Sequence, residues 1–129
     1  MPTHVNDLTG AIIGAAIEVH KHLGAGLLES AYHKCLAKEL SIRGIPFRYK
    51  QWFPLDYKGL TLDKAYEIDL LVAGSVIVEV KSVLTIHPIY EAQLLTYMRL
   101  QRIQVGLLIN FKEVLLKDGI RRKVLDLQE

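Results

Sequence analysis

The sequence predicts a mixed α/β (α+β) layered domain, on three observations. Apolar residues recur at helical spacing from Leu8 to Leu40. The period changes to alternation, with more β-branched residues, from Phe47. A further helical stretch opened by Pro88 then separates the alternating segments from a short apolar run, Val105 to Phe111. A strand meander followed by a crossover helix and a strand buried on both faces requires a mixed sheet covered by helices. The 129 residues suit one core, so residues 1–129 are expected to form a single unit. Half the residues are hydrophobic, 23% are charged and mean hydropathy is +0.20, which excludes a disordered tail.

The first helix is expected over Asp7 to His22. Leu8, Ile12, Ala15, Ala16, Val19 and Leu23 share a face, Asn6 or Asp7 offers an N-cap, and Lys21 with the adjacent histidines suits the C-terminal end of the dipole. His4, ahead of it, is expected to be disordered. Gly24-Ala25-Gly26 breaks the helix. A second follows with Leu28, Tyr32, Cys35, Leu36, Leu40 and Arg43 on successive turns, closed by Gly44 before Pro46. Strands are expected at Phe47 to Tyr57, bent at Pro54; at Leu60 to Val72, after a Lys58-Gly59 turn; and at Ser75 to Val83. Pro88 suits a first helical turn, and that helix is expected to reach Gln104. Val105 to Phe111 reads as a buried strand, Lys117-Asp118-Gly119 as a turn and Ile120 to Leu127 as a last strand. The order is α-α-β-β-β-α-β-β.

The longest apolar runs, such as Ala11 to Ile17, fall short of the roughly 18–20 residues a bilayer demands, and Met1 to Asp7 is a poor start for a signal peptide. A cytoplasmic location without membrane contact is expected. A lone Cys35 excludes an internal disulfide or a cysteine metal cluster and is expected to be a small buried hydrophobe. The net charge of +2 names no partner, but its distribution is uneven. Lys34, Lys38, Arg43, Arg48 and Lys50 are interrupted only by Glu39, whereas Asp56 to Glu79 holds five acids against Lys58 and Lys64.

Asp69 and the triplet Glu79-Val80-Lys81 stand in the most apolar strands, where an unpaired charge costs several kcal/mol. Glu79 and Lys81 are two apart and share a face, with Val78 and Val80 on the other. Two carboxylates converging on one point suit a hard cation such as Mg2+, and a neighbouring ammonium can orient or deprotonate a water for phosphodiester hydrolysis. Convergence depends on register. A two-residue Gly74-Ser75 hairpin would set Asp69 opposite Val80 and send the two carboxylates to opposite faces. A three-residue Ala73-Gly74-Ser75 turn sets Asp69 opposite Glu79, and that turn is predicted.

Asp69, Glu79-Val80-Lys81, the helical acid Glu29 and the helical Gln93-xxx-Tyr97 together resemble the PD-(D/E)xK nuclease superfamily, the last element its RecB-type branch. Gly24-Ala25-Gly26-Leu27-Leu28-Glu29, Arg43-Gly44, Gln51 to Tyr57, Asp69 to Val72, Glu91-Ala92-Gln93 and Gly106 to Phe111 are similar to the small prokaryotic GxxExxxR proteins grouped there, over about Leu8 to Val124. The resemblance implies a restriction-endonuclease-like core and a metal-dependent nuclease, acting on DNA with Mg2+ or Mn2+. It implies Asp69, Glu79 and the backbone carbonyl of Val80 as metal ligands, with Glu29 as a further ligand or orienting group. Lys81 would position or activate the attacking water, and Gln93 and Tyr97 would reach toward the site or the phosphate. The arginine of the GxxExxxR name falls at His33, and the proline before the motif aspartate is replaced by Ile68.

Other readings stand beside these. Glu79-Val80-Lys81 alone could be a solvated strand face, and Asp56-Tyr57-Lys58 is a second match, at a turn, taken as accidental. Glu29 also suits the N-terminal end of a helix dipole. His20 and His22 point in different directions and are poor joint ligands; surface or C-cap roles are expected. His33 lies one turn after Glu29, where a carboxylate–imidazole pair can be structural, and it also joins the candidate nucleic-acid contacts. Those are Arg48, Lys50 and Trp52, expected to alternate onto one face of the first strand. Duplex cleavage would favour a homodimer. The alternative to an enzyme is a catalytically inactive nuclease-fold module that binds nucleic acid or a protein.

Overall fold

The computed structural model describes residues 4–126. Three α-helices, α1 (Val5–Leu23), α2 (Glu29–Ile42) and α3 (Pro88–Gln101), enclose a sheet of β1 (Phe47–Tyr57), β2 (Leu60–Val72), β3 (Val76–Lys81), β4 (Val105–Asn110) and β5 (Ile120–Val124). The strands lie side by side in chain order. Only β3 and β4 are parallel, because only they are joined by an α-helical crossover. The predicted fold class and element order are both present. Among the described residues no helix is long and apolar enough to cross a membrane.

Three boundaries move. Helix α3 stops at Gln101 rather than Gln104, because Arg102 takes a left-handed conformation (φ 54°) that turns Ile103 into the core beneath the helix. Strand β3 ends at Lys81 rather than Val83, since Asn110 captures Val83 through paired hydrogen bonds of 3.0 and 2.8 Å. Lys117-Asp118-Gly119 is part of a 3-10 turn, and β5 ends at Val124; Leu127 lies outside the described residues. His4, expected to be disordered, is the N-cap of α1, its Nδ1 accepting the Asn6 N–H at 3.1 Å, so the cap is neither Asn6 nor Asp7.

Two apolar layers flank the sheet. Leu8, Ile12, Ala16, Tyr32, Leu36 and Leu40 of α1 and α2 pack on Leu70, Val78, Val80 and Leu107, while Leu94 and Met98 of α3 pack on Tyr66, Ile68, Ile77 and Leu108. Side chains two apart on a strand ordinarily share a face. Yet Ile68 packs under α3 and Leu70 under α1 and α2, and in β1 Phe53 and Phe47 divide the same way. Both strands turn over together at the level of Lys50 and Asp69, between the pairs Tyr49↔Leu70 and Gln51↔Ile68. Lys50 absorbs the rotation with a left-handed φ of 48°.

Helix α3 lies hard against β4 at Gly106, where an added Cβ would meet Met98 Sδ at 2.7 Å and Leu94 Cδ1 at 2.8 Å. Gly106→Ala is therefore expected to lower stability by about 1–3 kcal/mol through overpacking. A urea titration with an unchanged midpoint would refute this.

Candidate active site

The site begins with a turn. Ala73 and Gly74 take left-handed φ values of 52° and 64°, and the Ser75 N–H closes on Val72 O at 2.9 Å. Three residues thus separate the pair Val72↔Val76, and Leu70 lies across from Val78. One step further the main-chain ladder opens, at the position where this register sets Asp69 opposite Glu79. Each carboxylate then replaces a ladder bond. Asp69 N–H donates to Glu79 Oε2 at 2.9 Å, and Val80 N–H donates to Asp69 Oδ2 at 2.9 Å. The predicted three-residue turn and the convergence of the two acids are both observed.

Glu79 is 5% exposed. It alternates with Val78 and Val80, which enter the α1–α2 layer, so Glu79 and Lys81 face the α3 side as expected. Lys81 Nζ sits 4.6 Å from the centre of the Tyr90 ring, a cation–π contact that holds the ammonium beside the carboxylates.

Helix α2 brings in the third group. His33, 3% exposed, places Nε2 3.2 Å from Val80 O, 3.3 Å from Asp69 Oδ2 and 3.6 Å from Glu29 Oε2. All three neighbours are acceptors, so Nε2 carries a hydrogen that it donates to Val80 O, with the two carboxylates close enough to attract the ring electrostatically. Buried Nδ1 has no hydrogen-bond partner among the described residues. His33 was expected among the nucleic-acid contacts, and its burial instead makes it an internal brace joining Glu29, Asp69 and the Val80 carbonyl.

Burial raises the Asp69 carboxyl, against the lowering effects of the Val80 N–H, His33, Lys81 and Lys50. Burial, reinforced by the Asp69 charge, pushes Glu79 up to about 8, and Lys81 only partly offsets it. The Tyr97 hydroxyl is raised by burial and then by the charges of Glu79 and Asp69, which places it near the pair. Tyr97 stacks on Tyr66, which stacks on Phe53, with centroids 5.1 and 5.6 Å apart. Gln93 and Tyr97 line a groove of about 400 Å³ between α3 and the β1–β2 arm.

Lys50 lies across from Asp69 and is exposed, as are Arg48 and Trp52. The last two do not share a face with each other as expected, because β1 turns over between them: Phe47 and Phe53, their neighbours, belong to opposite layers. Sequence reasoning missed Tyr90, whose role depends on a through-space contact, and Asn110. A fully buried Asn closing an apolar strand was a signal in itself, and Asn110 fixes the loop after Lys81 by bonding Val83 and Lys112 N–H. His87 caps α3, its Nδ1 accepting the Ile89 N–H, and His20 Nε2 bonds Glu113 O.

Two clustered carboxylates and a main-chain carbonyl are hard oxygen donors, and carboxyls raised by burial, Glu79 also by the Asp69 charge, mark a pair short of positive charge. This donor set fits a hard divalent cation. Among the described residues no group of three or more His, Cys, Asp or Glu side chains is already disposed to hold an ion.

A mixed sheet between helices, carrying two carboxylates and a lysine where its second and third strands part, has the architecture and chemistry of a nuclease-like core. The family model described as the PD-(D/E)XK nuclease superfamily matches residues 6–123, and the chain belongs to that superfamily. Its nucleases generally use divalent metals. No curated protein and no solved structure matches the chain.

Proposed function

We propose that the protein is a divalent-metal-dependent nuclease of the GxxExxxR type that hydrolyses phosphodiester bonds in DNA. The observation that carries this is the reciprocal bonding of Asp69 and Glu79 to each other's strands, beside Lys81, with both carboxyls raised. Asp69, Glu79 and the Val80 carbonyl would hold Mg2+ or Mn2+, with Glu29 close by. The cation would supply charge to the scissile phosphate and acidity to a water. Lys81, steadied by Tyr90, would position that water by donating a hydrogen bond to it and would offset the negative charge that develops on it. His33 keeps Asp69, Glu29 and the Val80 carbonyl aimed inward. Tyr97 and Gln93 border the groove where the strand would lie, and Lys50, across from Asp69, would meet its phosphates, with Arg48 and Trp52 available only on opposite faces of β1. A site this small cuts one strand, so duplex cleavage would take a homodimer.

The test is purified protein with single-stranded, duplex and branched DNA and with RNA, in Mg2+ or Mn2+. Cleavage stimulated by either ion supports the reading, and cleavage of none of these sinks it. His33→Gln should weaken Mn2+ binding or activity by about 10–100-fold, as loss of an orienting partner does at metal sites. Calorimetry reads this directly, and an unchanged affinity together with unchanged activity would remove His33 from the proposed role.

A further inference from the structure

Among the described residues the most exposed large apolar side chains are Leu84 (86%), Val114 (85%) and Leu28 (78%). They sit on three separate loops, residues 24–28, 82–87 and 111–115, and these loops are tied to one another. Ser82 Oγ donates to Leu27 O at 3.0 Å, Asn110 bonds Val83 on both sides, and Tyr32, which bonds Gly24 O and Leu27 N–H, stacks on Phe111 at 4.6 Å. The knot stands where β3 delivers Lys81 and α2 begins with Glu29, so the three loops adjoin the sheet end that carries the candidate active site. Cations accompany them: Lys34 lines a hollow with Leu27 and Leu28, Lys81 precedes the second loop, and Lys112 lies in the third. Glu113 is the one acid in the three loops.

Phosphates satisfy lysines but offer nothing to an aliphatic tip. The face of an unstacked base does, and leucine-like wedges between bases are a known way for proteins to hold them. In continuous duplex each such contact must first separate a stacked step, whereas unpaired nucleotides present their faces freely. We infer that these loops bind unpaired nucleotides, so that the substrate is a single strand or a fork rather than continuous duplex, with Leu28, Leu84 and Val114 contacting base faces and Lys34 and Lys112 the adjoining phosphates. The inference rests on the phosphodiester reading of the site.

The test is fluorescence anisotropy of the full chain with labelled single-stranded, forked and fully paired oligonucleotides in Ca2+. Binding of the first two should be about tenfold tighter than of the third. The triple variant Leu28→Ser, Leu84→Ser, Val114→Ser truncates only solvent-exposed tips, and it should lose that advantage while its duplex binding stays the same. Equal affinity of the parent for paired and unpaired DNA overturns the inference, as does a triple variant that keeps the preference. So does parent binding to vesicles of equimolar phosphatidylserine and phosphatidylcholine that the variant loses. A parallel cleavage assay in Mn2+ separates the two readings. If the parent cuts without regard to pairing, only the loop inference falls; if it neither binds nor cuts, the nuclease reading falls with it.

Discussion

Glu79→Gln and Lys81→Ala are each expected to reduce metal-stimulated cleavage by about 10³-fold, the scale on which removal of one preorganised electrostatic group acts. Both side chains project from β3 toward α3. Glu79 is both buried and bonded to the Asp69 main chain, so under the proposed role its loss would remove a ligand and loosen the partner ligand. Lys81 has its ammonium fixed over Tyr90, so truncation leaves no cation at that height on the strand. Glu79→Gln preserves shape and should fold normally, as far-ultraviolet circular dichroism would verify. A folded Glu79→Gln protein that cleaves as fast as the parent would remove the carboxylate from the chemistry.

The metal-free protein is expected to become less stable as pH rises from about 4.5 to about 8. In the unfolded chain Glu79 ionises near 4.5, whereas in the folded protein burial and the Asp69 charge hold its proton until about 8. Between these values unfolding releases a proton, so rising pH favours the unfolded state, and the stabilisation present below pH 4.5 is gone above pH 8. Asp69 is shifted in the same direction. The loss is on the order of a few kcal/mol, large against a total stability of about 5–15 kcal/mol. Urea titrations in EDTA at pH 5 and pH 8 should show it for the parent and a much flatter response for Glu79→Gln, and saturating Mn2+ should flatten it for the parent. Equal slopes for parent and variant would assign the pH dependence elsewhere.

What could be read from the residues follows from how local each feature is. The length of the Ala73-Gly74-Ser75 turn decides which side chains face Glu79, and the alternation of Val78, Glu79, Val80 and Lys81 needs no knowledge of the rest of the chain. Helix starts at Glu29 and Pro88 were equally local. The role of His33 was not, because it depends on α2 lying across the Asp69–Val80 junction, a tertiary fact that sequence spacing does not encode. Tyr90 escaped for the same reason. The single-face reading of Arg48, Lys50 and Trp52 failed because strict alternation was assumed through Lys50, whose left-handed backbone inverts the strand. Helix α3 was overrun at its end because apolar periodicity continues through Ile103, although that residue is buried by a turn rather than by another helical step.

The strand order also governs how the molecule meets its own copies. Its outermost strands are β1 and β5, and neither is a good template for a further strand. β1 carries Pro54, which has no N–H to offer, a register slip between Phe53 and Leu55, and the inverted Lys50. β5 is short and presents Arg121, Arg122 and Lys123 in succession. Where β2 runs past β3 and leaves an open side, Asp63 and Lys64 occupy it. Leu60 and Leu62 can therefore stay exposed on a long two-stranded arm without seeding end-to-end β-stacking. The two sheet edges thus offer little to a second copy, which leaves the sheet closed to runaway polymerisation.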